Sequence, residues 1–195
     1  MSSGKSERYT EESLYEPIRE VLIGAFRGYI TPDKKPQYQR APYEHVEERL
    51  YLEITGNKRI FNEKLKKCFD DETLNIINSE GKFPDITGYV KRKSNSNKEL
   101  ITVEIKKGSI KLRDVIQARL YQELFKAKFG LLISAEGITE ERVRFLLDKK
   151  IGKWIRGDVI IIRYFKNFYK KGRWIEIHPR FKDKVPDIFK KYCKP

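Results

Sequence analysis

The stretch from Phe83 to Ser134 constrains the fold more than any other part of the chain. It reads FPDITGYV, a polar linker, ELITVEIKKG, IKLRDVIQARLYQELF and FGLLIS. The first two apolar runs carry Ile, Val, Thr and aromatic residues at period two, the pattern of pleated strands. Lys91 to Lys98 between them (KRKSNSNK) has the Ser/Asn composition of a hairpin loop. On the second strand Ile101, Val103 and Ile105 face one way, and Thr102, Glu104 and Lys106 face the other. A carboxylate and an ammonium therefore share one side of a strand whose back is apolar. Asp85, after Pro84, brings a second carboxylate to that side from the neighbouring strand. FGLLIS has the near-continuous apolar character of a buried strand parallel to its neighbour. The helical pattern ITEERVRFLLDKKIG follows it, with Gly152 suited to its stop. This strand–helix–strand–helix order predicts an α/β layer sandwich.

Two carboxylates beside a lysine suit metal-assisted hydrolysis of a phosphodiester. Mg²⁺ takes hard oxygen ligands, one or two of them carboxylates, and completes its shell with water and substrate phosphate. A metal lowers the pKa of bound water and neutralises charge developing on the phosphate. A lysine can orient that water or stabilise the same charge.

Pro84-Asp85 and Glu104-Ile105-Lys106 resemble the motif of the PD-(D/E)xK nuclease superfamily. On the following helix Gln117 and Tyr121 resemble the QxxxY motif of its RecB-like and Cas4-like branch, and residues four apart share a helical face. The resemblance implies a restriction-endonuclease-like three-layer α/β/α core with a mixed central sheet. It implies a deoxyribonuclease that uses Mg²⁺ or Mn²⁺, with DNA as partner and a homodimer as a common assembly. Asp85, Glu104 and Lys106 would be catalytic. Asp85, Glu104 and the carbonyl of Ile105 would hold the metal, joined by an acid of the first helix, Glu12 or next Glu16. Gln117, Tyr121, Arg113 and Lys107 would support the site or contact the substrate. The alternative is a catalytically inactive nucleic-acid-binding module of the same fold. The first motif reads PDITG, without the second acid that many RecB-like members carry. Asp33-Lys34-Lys35, Asp148-Lys149-Lys150 and Pro186-Asp187 repeat parts of the pattern without an apolar strand and read as surface charge.

Thr10 caps a helix over TEESLYEPIREVLIGAF, with Leu14, Ile18, Val21, Leu22 and Ala25 as its apolar stripe. Residues 28–80 read as an insertion, beginning in a proline-rich loop and containing YEHVEERLYLEITG, a short helix or a segment that ends in a strand, and the helical NEKLKKCFDDETLNIIN. His45 beside Glu44 and Glu48 reads as surface, because metal sites need several convergent ligands. Ser109 is placed to cap the helix on which Leu112, Val115, Ile116, Leu120, Leu124 and Ala127 form an apolar stripe. VIIIRYF and RWIEIH are two further strands around NFYKKG.

Lys and Arg outnumber Asp and Glu by 42 to 28, a net charge of +14 that points to a polyanionic partner. From Arg163 to Pro195 there are 11 Lys and Arg against 3 acids, interleaved with aromatic rings. Such rings stack on unpaired bases while the cations meet phosphates. Cys68 and Cys193 are too few for a disulfide framework or a four-cysteine cluster. With no apolar leader or membrane-length run, the chain reads as one soluble cytoplasmic domain over 1–195. Its heavy Lys, Glu and Ile usage points to a thermophilic source.

Overall fold

A computed structural model describes residues 10–30, 48–91, 97–148, 159–167 and 172–177. Six strands, β1 (Leu50–Ile54), β2 (Ile86–Lys91), β3 (Lys98–Lys106), β4 (Phe129–Ser134), β5 (Ile160–Asn167) and β6 (Gly172–Ile177), lie in one sheet in sequence order. The helices are α1 (Tyr15–Ile30, after one tight turn over Glu12–Leu14), α2 (Glu63–Lys66), α3 (Asp71–Glu80), α4 (Leu112–Leu124) and α5 (Glu140–Asp148). β1, β2 and β3 form an antiparallel meander, β3, β4 and β5 run parallel, and β6 returns antiparallel. The fold is mixed α/β. β1 falls within the segment read as an insertion, so part of that segment is sheet.

Parallel neighbours need a crossover, which α4 and α5 supply. Both step the same way across the sheet, so right-handed connection puts them on one face. β4 shows the two faces directly. Phe129 packs edge-to-face against Phe26 of α1, with centroids 5.3 Å apart. The next residue, Gly130, turns to the other face and meets Gln122 of α4. On α1, Leu14, Ile18, Leu22 and Ala25 are buried as the stripe predicts, and the Thr10 hydroxyl accepts from Ser13 N at 3.3 Å. The segment 61–83 adds a second core in which Phe61 meets Phe69, Phe83 and Phe125 at 5.1, 5.0 and 5.7 Å. Asp70 caps α3 through Thr73 N, and Gly81 ends it with φ 61°.

The packing of α4 departs from its apolar pattern. Asp114, Val115, Ala118, Arg119, Tyr121 and Gln122 are buried, while Ile116 and Leu120 are 53 % and 61 % exposed and Leu112 is open as well. The polar side chains on the buried face have partners that let them go under. Arg119 Nη1 donates to Gln122 Oε1 at 2.8 Å, and Asp114 Oδ2 accepts from Lys111 N at 2.7 Å. That last bond caps α4. Ser109, the expected cap, instead accepts from Arg142 Nη1 of α5 at 3.0 Å. Among the described residues no helix is long and apolar enough to cross a membrane.

Gly88 carries the closest approach within the sheet. A Cβ there would lie 2.0 Å from the Tyr51 carbonyl oxygen and 2.9 Å from Leu52 Cα, both backbone atoms of β1. Gly88→Ala should therefore cost about 3 kcal/mol, because a strand rather than a side chain must move. A urea midpoint that falls at unchanged m-value is the expected result.

Candidate active site

Asp85 stands where α1, β1, β2 and β3 meet. Its carbonyl oxygen accepts from Thr55 N at 2.9 Å and Gly56 N at 3.2 Å, and Thr55 Oγ1 donates to the Pro84 carbonyl at 2.5 Å. The end of β1 thus holds the Pro-Asp backbone from both residues. The carboxylate is fixed equally firmly. Oδ1 accepts from the Tyr15 hydroxyl and Oδ2 from Ile105 N, each at 2.6 Å. Gly56 makes room for this, because a Cβ there would sit 2.7 Å from Asp85 Oδ1. Continuing the β2–β3 register (Ile86 opposite Val103) sets Asp85 across from Glu104 on the face away from Ile105.

Glu104 is 3 % exposed and Asp85 7 %. Lys106 Nζ lies 2.7 Å from Glu104 Oε1 and 3.5 Å from Glu11 Oε1. Glu11 also accepts from Lys107 N at 3.3 Å, which ties the start of the first helical segment to the end of β3. Two carboxylates therefore share one ammonium, with Asp85 close enough to feel its charge. Burial, then the Asp85 charge, push the Glu104 carboxyl up to about 8. Burial also raises Asp85, against its bonds to Tyr15 and Ile105 N. For Lys106 burial acts downward, but Glu104, Asp85 and Glu11 outweigh it and lift the ammonium to about 12. Burial and the bond to Asp85 keep the Tyr15 phenol protonated well above its ordinary range.

The predicted residues divide into those brought together and those left apart. Asp85, Glu104 and Lys106 converge. Tyr121 is buried, accepts from Gln117 Nε2 at 3.5 Å, and is raised first by burial and then by the charges of Glu104 and Asp85. Lys107 adjoins the site by its backbone, with its side chain exposed. Arg113 is 79 % exposed and touches only the edge of Asp114, at 3.7 Å. On the first helical segment the structure corrects the expectation. Glu12 is exposed and Glu16 pairs with Arg19, so Glu11 is the acid that reaches Lys106. Glu11 stands three and seven residues before Leu14 and Ile18, which puts it on the side of the segment that faces the protein. Tyr15, Thr55 and Gly56 were not singled out from sequence. A usable signal for Tyr15 was a polar hydroxyl inside an otherwise aliphatic stripe, which needs a partner when buried. Most of the basic, aromatic-rich stretch 163–195 lies outside the described residues, as do His45 and Cys193.

Among the described residues no three His, Cys, Asp or Glu side chains gather as a metal-binding group. One observation nonetheless fits a cation. Glu104 Oε2 is buried and has no hydrogen-bond partner among the described residues. An orphaned carboxylate oxygen beside a second buried carboxylate is the environment that a hard cation compensates. The chain matches no family model, no curated protein and no solved structure.

Two measurements check this geometry. Tyr15→Phe removes a charge-assisted donor from a buried carboxylate and should destabilise the fold by about 2 kcal/mol, read by urea denaturation. Glu104 gives a pH signature. Its folded pKa of about 8 lies above the ordinary 4.5, so the folded protein holds the extra proton between those values. That contribution to stability is complete below about 4.5 and lost as pH rises through about 8. Glu104→Gln should therefore gain stability relative to the parent between pH 5 and pH 8, on the order of 1–2 kcal/mol. Thermal melts of both proteins across that range would read it.

Proposed function

We propose that the chain is a metal-dependent nuclease of the PD-(D/E)xK type, with the restriction-endonuclease-like fold and DNA as its substrate. The observation that carries this reading is the convergence of Asp85, Glu104 and Lys106, with Glu104 Oε2 buried and unpaired. Asp85 and Glu104 would hold Mg²⁺ or Mn²⁺ with the Ile105 carbonyl, and Glu11 takes the place expected of Glu12. When bound, the ion would acidify a water and offset charge on the scissile phosphate. Tyr15 and the Ile105 amide fix the Asp85 carboxylate, so that its remaining lone pairs keep one direction. Lys106 would give up part of its contact with Glu104 and turn to the attacking water or a phosphate oxygen. Its pKa near 12 makes it a cation that orients and stabilises, not a base that takes the proton. Gln117 and Tyr121 close the site on the α4 side and would bear on the substrate strand.

A second reading has its own support. The direct Lys106–Glu104 pair, which occupies the ammonium that would serve an attacking water, suits a nucleic-acid-binding module without turnover.

Purified protein on single-stranded, duplex and branched DNA, with Mg²⁺, Mn²⁺ or EDTA, separates the two. The nuclease reading expects cutting that requires metal and falls at least about a hundredfold in Asp85→Ala and Lys106→Ala. It also expects divalent metal to raise the melting temperature of the parent but not of Glu104→Gln, since a ligand that binds only the folded state stabilises it. Binding without cutting on every substrate would select the second reading.

A further inference from the structure

The turn that grips Asp85 continues into an exposed cationic tip, Asn57-Lys58-Arg59-Ile60. Its base is fixed at the site, because Thr55 N and Gly56 N bond the Asp85 carbonyl. Its top folds straight back, because Lys58 N and Arg59 N both donate to the Thr55 carbonyl, at 3.2 and 3.0 Å. The tip therefore cannot drift far from Asp85; one hydrogen-bonded turn separates them. Lys58 has only a loose contact with Glu53, at 3.8 Å, and its side chain is 58 % exposed. Arg59 is exposed and has no ion-pair partner among the described residues. Ile60 is 56 % exposed.

The conformation of Arg59 adds a second, independent observation. Its φ is 51°, in the left-handed region that glycine enters freely and a long side chain enters at a cost. The other non-glycine residue with positive φ, Lys126, closes the end of α4, and its ammonium pairs with Asp70 at 2.8 Å. Arg59 has no such pairing. An unpaired cation held at a strained position on the lip of a candidate site is the pattern of a functional contact.

The geometry points to the 57–60 turn as a strand guide. Lys58 and Arg59 bind the phosphates flanking the one presented to Asp85 and Glu104, and Ile60 lies against the sugar or base between them. This rests on the nuclease reading for the identity of the strand, but the contact itself does not require turnover. Phosphate contacts of this kind set position and register without reading sequence. The guide thus acts on all sequences alike.

The test is equilibrium binding of labelled single-stranded and duplex oligonucleotides to the full chain in EDTA, from about 50 to about 200 mM KCl. The variants are Lys58→Ala/Arg59→Ala, Arg59→Gly and the control Lys67→Ala, an exposed lysine just after α2. The double variant should bind on the order of tenfold more weakly at the higher salt, with a salt slope shallower by about one to two. Arg59→Gly should bind more weakly while its melting temperature stays the same or rises, which separates the contact from folding. Lys67→Ala should match the parent. Parental affinity and slope in the double variant, an equal loss in Lys67→Ala, or a parent that binds neither oligonucleotide would each overturn the proposal. Failure of the nuclease reading looks different: the binding differences persist, but metal brings no cutting by the parent.

Discussion

The Asp85 carboxylate is the joint on which the site depends. One oxygen belongs to α1 through Tyr15, the other to β3 through the Ile105 amide, and the backbone behind it belongs to β1 through Thr55 and Gly56. Four elements distant in sequence are thereby brought into one register. Hydrogen bonds to a buried charge are among the stronger ones available to a protein, and leaving the charge unpaired costs more than the bonds contribute. The arrangement is therefore close to all-or-none. A shift of β1 would free the Asp85 backbone, and a shift of α1 would strip a donor from its side chain. Glu104 is the contrasting case. Among the described residues it has one partner, Lys106, and one buried oxygen without any, so its charged form is poorly compensated and its carboxyl is pushed up to about 8.

The sheet was legible in the sequence because its signals were local. Alternation fixed the sidedness of β3, the Ser/Asn linker marked the hairpin, and FGLLIS read as buried between parallel neighbours, as it is. The first helix showed its stripe for the same reason. What failed to show depended on pairings between distant residues. α4 puts Arg119 and Gln122 against the sheet, where Arg119 Nη1 donates to Gln122 Oε1 and Gly130 leaves space for Gln122, while Ile116 and Leu120 remain outside. No count of apolar residues along the helix contains that information. β1 was half legible, as one of two readings of YEHVEERLYLEITG, because an edge strand of five residues carries little pattern of its own.

The candidate site divides along the same line. Asp85, Glu104 and Lys106 could be named because their spacing lies within single strands and a motif. Glu11 was distinguishable from Glu12 only by its spacing to Leu14 and Ile18, which puts it on the side that faces the protein. Tyr15 and Gly56 act at Asp85 across 70 and 29 residues of chain, and neither stands in a motif. Both serve by shape: one supplies a donor at the only free oxygen, the other supplies the absence of a Cβ.

On the proposed reading, the distribution of charge has a consequence for how such a site is controlled. The chain as a whole is strongly cationic, yet Glu11, Asp85 and Glu104 outnumber the single ammonium at the site. A nucleic acid is drawn in by the whole surface, over a range set by a screening length of about 8 Å at physiological salt. At the site itself a phosphate meets carboxylates, and two like charges about 4 Å apart repel by roughly 4 kcal/mol at an effective dielectric of 20. Wherever a carboxylate of the pair is ionised, that local term would oppose the seating of a strand while the surface continued to hold it. Asp85 and Glu104 would hold the cation of that reading, whose charge would offset theirs toward the phosphate. On that reading association and seating would be governed by different charges, the surface cations for the first and the carboxylates for the second. Cations at the rim, such as Lys58 and Arg59, would belong to the first process, and Lys106 to the second.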